Sequence, residues 1–219
     1  MRIDRYAFRI LLAALGAAAA LAPASAAAVK LELTPIVGYS STDYEFSQGL
    51  TCLAIFADCT LRGETDDGAA FGLILGVDLR PGWQLELLAN RQESDLDARG
   101  RLVSLNPGIP DVVFTEAVDF EVTHLQIGAS RTFGEGTLRP FVGAAVGVSR
   151  VEVDPGDRQV TAGSSEDALS ASAGGGVKVD LSDRLGLRLE GRAWWVDLGE
   201  EAGGDVTQLD AAAGLVVRF

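Results

Sequence analysis

The sequence predicts an all-β protein: an eight-stranded antiparallel up-and-down transmembrane β-barrel, preceded by a cleavable signal peptide. Three observations predict it. Side chains alternate between apolar and polar with a period of two through most of residues 27–219. The segments that alternate are joined by connections that are long and short in strict turn. Aromatic side chains gather at both ends of those segments rather than at their middles. Alternation is the mark of a sheet with two different faces. Long and short connections in turn are what a barrel with short inner turns and longer outer loops produces.

The N-terminal residues read as an export signal. Arg2, Arg5 and Arg9 make a basic start, Ile10 to Ala22 an apolar run of 13 residues, and Ala24-Ser25-Ala26 a small-residue cleavage site. The run is shorter than the roughly 20 residues a spanning helix needs. The expected division is therefore 1–26 as signal peptide and 27–219 as barrel domain. Removing the signal takes away three arginines and Asp4, leaving 15 basic and 30 acidic side chains of the 18 and 31 in the full chain. So acidic a balance argues against nucleic acid as a partner, and against anionic lipid held by a basic patch.

The first expected strand runs from about Val29 to Tyr39, with Leu31, Leu33 and Val37 opposite Lys30, Glu32 and Thr34. The second sets Phe71, Leu73, Leu75, Val77 and Leu79 against Gly72, Gly76 and Asp78. The third sets Trp83, Leu85, Leu87 and Ala89 against Gln84, Glu86 and Asn90. The fourth, about Val118 to Phe133, changes phase between Val122 and Leu125, which predicts a bulge or an upper part standing clear of the membrane. The fifth runs from about Leu138 to Val148 and the sixth from about Ala168 to Leu181. In the seventh, Leu185, Leu187, Leu189, Ala193 and Trp195 face away from Arg188, Glu190 and Arg192. The eighth ends the chain, with Leu209, Ala211, Ala213, Leu215, Val217 and Phe219 opposite Gln208, Asp210, Gly214 and Arg218.

Arg80-Pro81-Gly82, Gly134-Glu135-Gly136 and Ser182-Asp183-Arg184 read as tight turns, and the acidic stretches 40–68, 92–117, 152–166 and 198–206 as loops. An outer aromatic girdle is expected from Tyr39, Phe71 and Trp195, and an inner one from Trp83, Phe133, Phe141 and Phe219. About ten residues at 3.3 Å, tilted near 40°, rise roughly 25 Å, the height of an outer-membrane apolar band.

The inward parity carries charges of both signs: Lys30, Glu32, Asp78, Glu86, Lys178, Arg188, Glu190, Arg192 and Asp210. An eight-stranded barrel has an interior that side chains can fill. Unpaired charges there are costly, so pairing into a salt-bridged plug is one reading. A narrow channel gated by Arg188, Glu190 and Arg192 is the second. A sideways route for apolar molecules through the Gly/Ala-rich fifth and sixth strands is the third. Cys52 and Cys59, close together in an exported chain, are expected to form a disulfide in the first outer loop.

On the terminal Leu215-x-Val217-x-Phe219 and on Arg139-Pro140-Phe141-Val142-Gly143-Ala144-Ala145-Val146-Gly147, the chain resembles the small OmpA/OmpX/OmpW-like, or porin-family, outer-membrane barrels. Ala145 stands where the group's Pro-aromatic-x-Gly-x-Gly strand has its second Gly. The resemblance implies residence in the bacterial outer membrane among lipid and lipopolysaccharide. It also implies that Leu215, Val217 and Phe219 are read by the barrel-assembly machinery, and a sideways route is proposed for some OmpW-like members. With the chain stopping at Phe219, no periplasmic peptidoglycan-binding domain is expected.

No cofactor, metal or catalytic set is expected. Lipid A deacylase barrels carry His-x-Ser, but here Gln126 follows His124, the sole histidine. The palmitoyltransferase barrels use a His with an Asp-Ser pair, which His124 lacks. Asp95-x-Asp97-x-x-Gly100 opens like a calcium loop, yet its fifth position is Arg99 and its twelfth Asn106. The expected function is a non-enzymatic surface, adhesion or envelope-structural role, with a small solute channel as the alternative. Nothing in the outer loops identifies a ligand.

Overall fold

A computed structural model describes residues 30–43, 45–49, 56–104, 110–154, 164–199 and 205–219. The expected signal segment 1–26 and Cys52 of the expected disulfide lie outside the described residues, as does the side chain of Cys59. The described residues contain strands and no helix.

The strands are β1 (Leu31–Asp43), β2 (Glu45–Gly49), β3 (Phe56–Thr65), β4 (Gly68–Arg80), β5 (Trp83–Ser104), β6 (Val112–Thr132), β7 (Leu138–Asp154), β8 (Ser164–Asp180), β9 (Leu185–Asp197) and β10 (Asp205–Arg218). All pair antiparallel, in the order β4-β1-β10-β9-β8-β7-β6-β5, and β5 pairs with β4 to close the barrel. Closure removes the bare edges that hydrocarbon could not satisfy. The last backbone amide, Phe219, donates to the Leu31 carbonyl at 3.0 Å, so the two ends of the wall meet.

β3 continues along β5 where β4 leaves it: Ala69 opposes Glu93, the Asp66 amide donates to the Asp95 carbonyl at 2.8 Å, and Thr65 opposes Leu96. β1 and β2 run on in the same way against β4 and β3. The barrel thus has eight staves, two of them interrupted. The stretches 40–68 and 92–117, expected to be loops, are corrected: most of their described residues are strand.

The inner turns follow from their residues. Gly82 (φ 77°), Gly134 (φ 77°) and Gly136 (φ 115°) take the left-handed backbone that side chains resist. At the third turn, the Ser182 hydroxyl accepts the Leu185 amide at 3.1 Å.

The phase change in β6 involves no bulge. Its register with β5 is unbroken from Arg131–Trp83 to Val112–Leu102, and its register with β7 is continuous as well. The surroundings change instead. Along one inward row, Phe120, Val122, His124, Gln126 and Ser130 are all buried, and the first two are apolar while the rest are polar. Outward, Asp119 and Thr123 precede Leu125 and Ile127. The lower barrel is polar inside and apolar outside, as a membrane requires. The upper barrel has the reverse arrangement, that of a water-soluble protein. Leu96, Phe120, Val122, Val151, Ala168, Val196 and Val206 make its core, under exposed pairs such as Arg91–Glu121 (2.8 Å) and Arg150–Asp167 (2.7 Å).

Tyr39, Phe71 and Trp195 are exposed near the upper limit of the apolar band, and Trp83, Phe133 and Phe219 stand at its lower limit. The Tyr39 hydroxyl donates to Asp67 at 2.7 Å, a bond that holds the Asp67 carboxyl below its ordinary range. Phe141 is corrected: it is 2% exposed and points into the lumen, as its parity with Gly143 and Gly147 requires. Ala145, the departure from the glycine pattern, is accommodated by Gly128 directly opposite it.

Candidate functional site

The inward side chains form a stack of layers from the inner rim to the outer core. At the rim, Asp180 accepts from Arg139 (2.8 Å) and Arg218 (2.6 Å), and Arg218 reaches Glu32 at 3.3 Å. One step higher, the buried Lys178 ammonium donates to Glu32 at 2.5 Å and to Gln84 at 3.0 Å. Gln84 in turn donates to Asp78 at 3.1 Å.

The next layer is a four-member ion cluster. Arg188, its side chain fully buried, sends two N–H groups to Glu86 (2.8 and 3.3 Å) and a third to Glu190 (2.7 Å). Glu190 also accepts from Arg192 Nε at 2.7 Å, and Ser130 completes Glu86 at 2.7 Å. The Phe141 ring lies 4.2 Å from the Arg188 guanidinium, covering its inner face. Arg192 passes the network on to Ser172, which donates to Gln126; Gln126 then donates to Ser170. Two positive and two negative charges balance locally, and all four carboxylate oxygens accept hydrogen bonds. Buried charges are tolerated only under such pairing.

Above the ion cluster sits Asp210, held by neutral donors alone: Ser40, Asn90 (2.9 Å), Trp194 Nε1 (2.8 Å) and Gln208 (3.3 Å). A cavity of about 20 Å³ lies among Asn90, Glu190, Arg192, Trp194 and Asp210, room for a single water. His124 stacks on Trp194 with ring centroids 4.2 Å apart; its ring nitrogens pair with Ser149 (2.6 Å) and Gln208 (3.1 Å). The apolar core of the upper barrel begins immediately above it.

Of the residues singled out from sequence, Glu32, Glu86, Lys178, Arg188, Glu190, Arg192 and Asp210 are brought into this stack. Lys30 and Asp78 are not buried in it. Both are exposed at the inner ends of β1 and β4, where alternation continues but the surrounding wall stops. Sequence reasoning missed Trp194, Gln126 and the pair Arg139–Asp180. Each has inward parity, so the signal was available, but the neutral or aromatic character of Gln126 and Trp194 does not advertise a lumen residue, and Arg139 and Asp180 stand at strand ends beside the turns. Leu215 and Phe219, of the terminal triplet, are exposed on the apolar wall, and Val217 is half-buried there.

A closed eight-stranded wall, apolar outside and polar within across the membrane band, is the architecture of an outer-membrane barrel. The sequence matches the family described as outer membrane protein beta-barrel domain over residues 10–219. The chain belongs to this family. It is a protein of the bacterial outer membrane, set in lipid and lipopolysaccharide. Its fold is similar to that of neisserial surface protein A, at 12% identity, covering 87% of this chain and 97% of that one with a TM-score of 0.57. The Pseudomonas aeruginosa outer membrane protein OprG is similar at 13% identity, with 88% and 96% covered and a TM-score of 0.54. At such identities the likeness concerns the fold alone. No curated protein matches the chain.

Proposed function

We propose that this family member is a non-enzymatic envelope protein: a sealed barrel that anchors a rigid external platform with a role in adhesion or envelope structure. What carries the reading is the filled lumen. From Asp180 to Val206 the interior is a continuous series of paired charges, neutral hydrogen-bonded side chains and finally an apolar core, interrupted by a cavity of about 20 Å³. A solute path needs a connected wet channel, and an ion crossing the upper core would shed its hydration among Phe120, Val122 and Val196.

The platform supports the other half of the reading. β5 and β6 continue past the apolar band, and the stretch Gln92–Ser104, at about 3.3 Å per residue and a tilt near 40°, rises roughly 30 Å above it. Its base packs around an apolar core that includes Leu96 and Phe120, β3 pairs along β5 above it, and loops raised on rigid scaffolds commonly carry recognition. The same reading includes removal of 1–26 on export and recognition of Leu215, Val217 and Phe219 during assembly.

Refolded protein in a planar bilayer tests it. A sealed barrel gives no steady conductance. Discrete steps altered by Arg192→Ala or Glu190→Ala would instead establish a small solute channel. Expression of the wild type and His124→Ala should leave lipid A acylation the same; a change that depends on His124 would overturn the non-enzymatic assignment.

A further inference from the structure

The net negative charge of the chain is unevenly placed, and at the inner membrane rim a local basic feature stands apart from it. Trp83 and Arg131 are directly opposed on β5 and β6, both on the lipid-facing parity. The Arg131 guanidinium lies 5.4 Å from the Trp83 ring and 5.3 Å from the Phe133 ring. Arg80, beside them at the end of β4, lies 5.2 Å from the Trp83 ring. Three cation–π contacts therefore converge on two rings of the inner girdle.

Two properties make this more than a pair of snorkelling side chains. Among the described residues, neither Arg80 nor Arg131 has a carboxylate within ion-pair distance, whereas Arg139 and Arg218 nearby both pair with Asp180, and Arg218 with Glu32 as well. Contact with a ring also occupies only the face of a guanidinium, so its N–H edge stays available to a planar or tetrahedral anion. The rings fix both cations at headgroup depth, with the exposed Leu79 and Leu138 on the same rim.

We propose that Arg80 and Arg131, braced by Trp83 and Phe133, form a binding site for the phosphodiester of an anionic phospholipid in the inner leaflet. The acyl chains lie along the apolar wall, and the phosphate accepts from both guanidinium edges. Such a site would be a local exception to the expectation, drawn from total charge, that no basic patch engages anionic lipid. Among the described residues, most acidic side chains stand on the opposite, outer side of the membrane.

The test uses the full barrel refolded into phosphatidylcholine vesicles, in a Trp195→Phe background so that Trp83 is the lipid-facing tryptophan. Quenching by brominated phosphatidylglycerol is compared with quenching by brominated phosphatidylcholine. The site predicts a relative affinity for the anionic lipid of about fivefold per arginine. The ratio should fall to about one in Arg80→Ala/Arg131→Ala and stay intermediate in Arg131→Lys, which keeps the charge without the fork. Equal quenching in the parent protein, which requires no variant to fold, overturns the proposal, as does an unchanged ratio in the double variant. Excess inorganic phosphate should leave the quenching unaltered; displacement by it would reassign the site to free phosphate.

Discussion

Replacing Arg188 with methionine tests how the lumen is held together. The side chain is fully buried and makes three charge-assisted bonds, two to Glu86 and one to Glu190. Methionine preserves much of the volume and the contact with Phe141, but leaves Glu86 with Ser130 as its short-range partner and Glu190 with Arg192. Breaking a buried pair from one side costs about 3–5 kcal/mol, because the remaining charge stays desolvated. With urea slopes of about 1–3 kcal/mol per molar, the midpoint of unfolding should fall by at least 1 M or so. The assay is urea titration of barrels refolded in vesicles, followed by tryptophan fluorescence. The double variant Glu86→Met/Arg188→Met removes the pair together, and its cost should fall short of the sum of the single costs by about 2 kcal/mol or more. A single variant within about 0.5 kcal/mol of wild type, or strict additivity in the double, would refute the claim that these charges act as one network.

Three further outcomes follow from the same geometry. Phe120→Ala in the upper core should destabilise the refolded barrel by about 3–5 kcal/mol, measured in the same titration, while leaving membrane insertion intact. Gly147→Ala should reduce the folded fraction far more than Gly143→Ala on a gel that separates folded from unfolded barrels. A Cβ at Gly147 would fall 2.1 Å from the Leu125 carbonyl, whereas one at Gly143 would meet its neighbours at 3.2 Å. Phe219→Ala should lower the amount of assembled protein in cells yet leave refolding into detergent unchanged, since Phe219 is 74% exposed and adds little to the folded state.

Much of this molecule is legible along the chain because one physical contrast, hydrocarbon against a crowded polar lumen, is written as alternation. It placed eight staves, and it placed Arg188, Glu190 and Arg192 inside. It faltered where the contrast reverses. Above the membrane the same parity still points inward, but the inner residues are Phe120 and Val122 and the outer ones Asp119 and Glu121. Composition there reads as an acidic loop, and of the two readings of the phase change the continuous register excludes the bulge and leaves the upper part standing clear of the membrane. The height of Phe141 along its strand points to a girdle, whereas its parity points to the lumen, and parity prevails. Asp210 was legible as an inward charge, but its neutral surroundings were not. Ser40 and Asn90 lie 170 and 120 residues away from it in the chain, and only closure of the barrel brings them together.

The reversal of sidedness along the unbroken β6 is measured directly by a spin-label scan of that strand in lipid vesicles. With Cys52 and Cys59 replaced by serine, single labels are placed from Asp119 to Arg131, and their collision rates with oxygen and with a water-soluble nickel chelate are compared. Labels at Leu125, Ile127 and Ala129 should meet oxygen, labels at Asp119, Glu121 and Thr123 should meet the chelate, and labels at Phe120, Val122 and Gln126 should meet neither. Chelate reaching the labels at Phe120 and Val122 as readily as those at Asp119 and Glu121 would contradict the account, because the upper barrel would then be an open, wet tube.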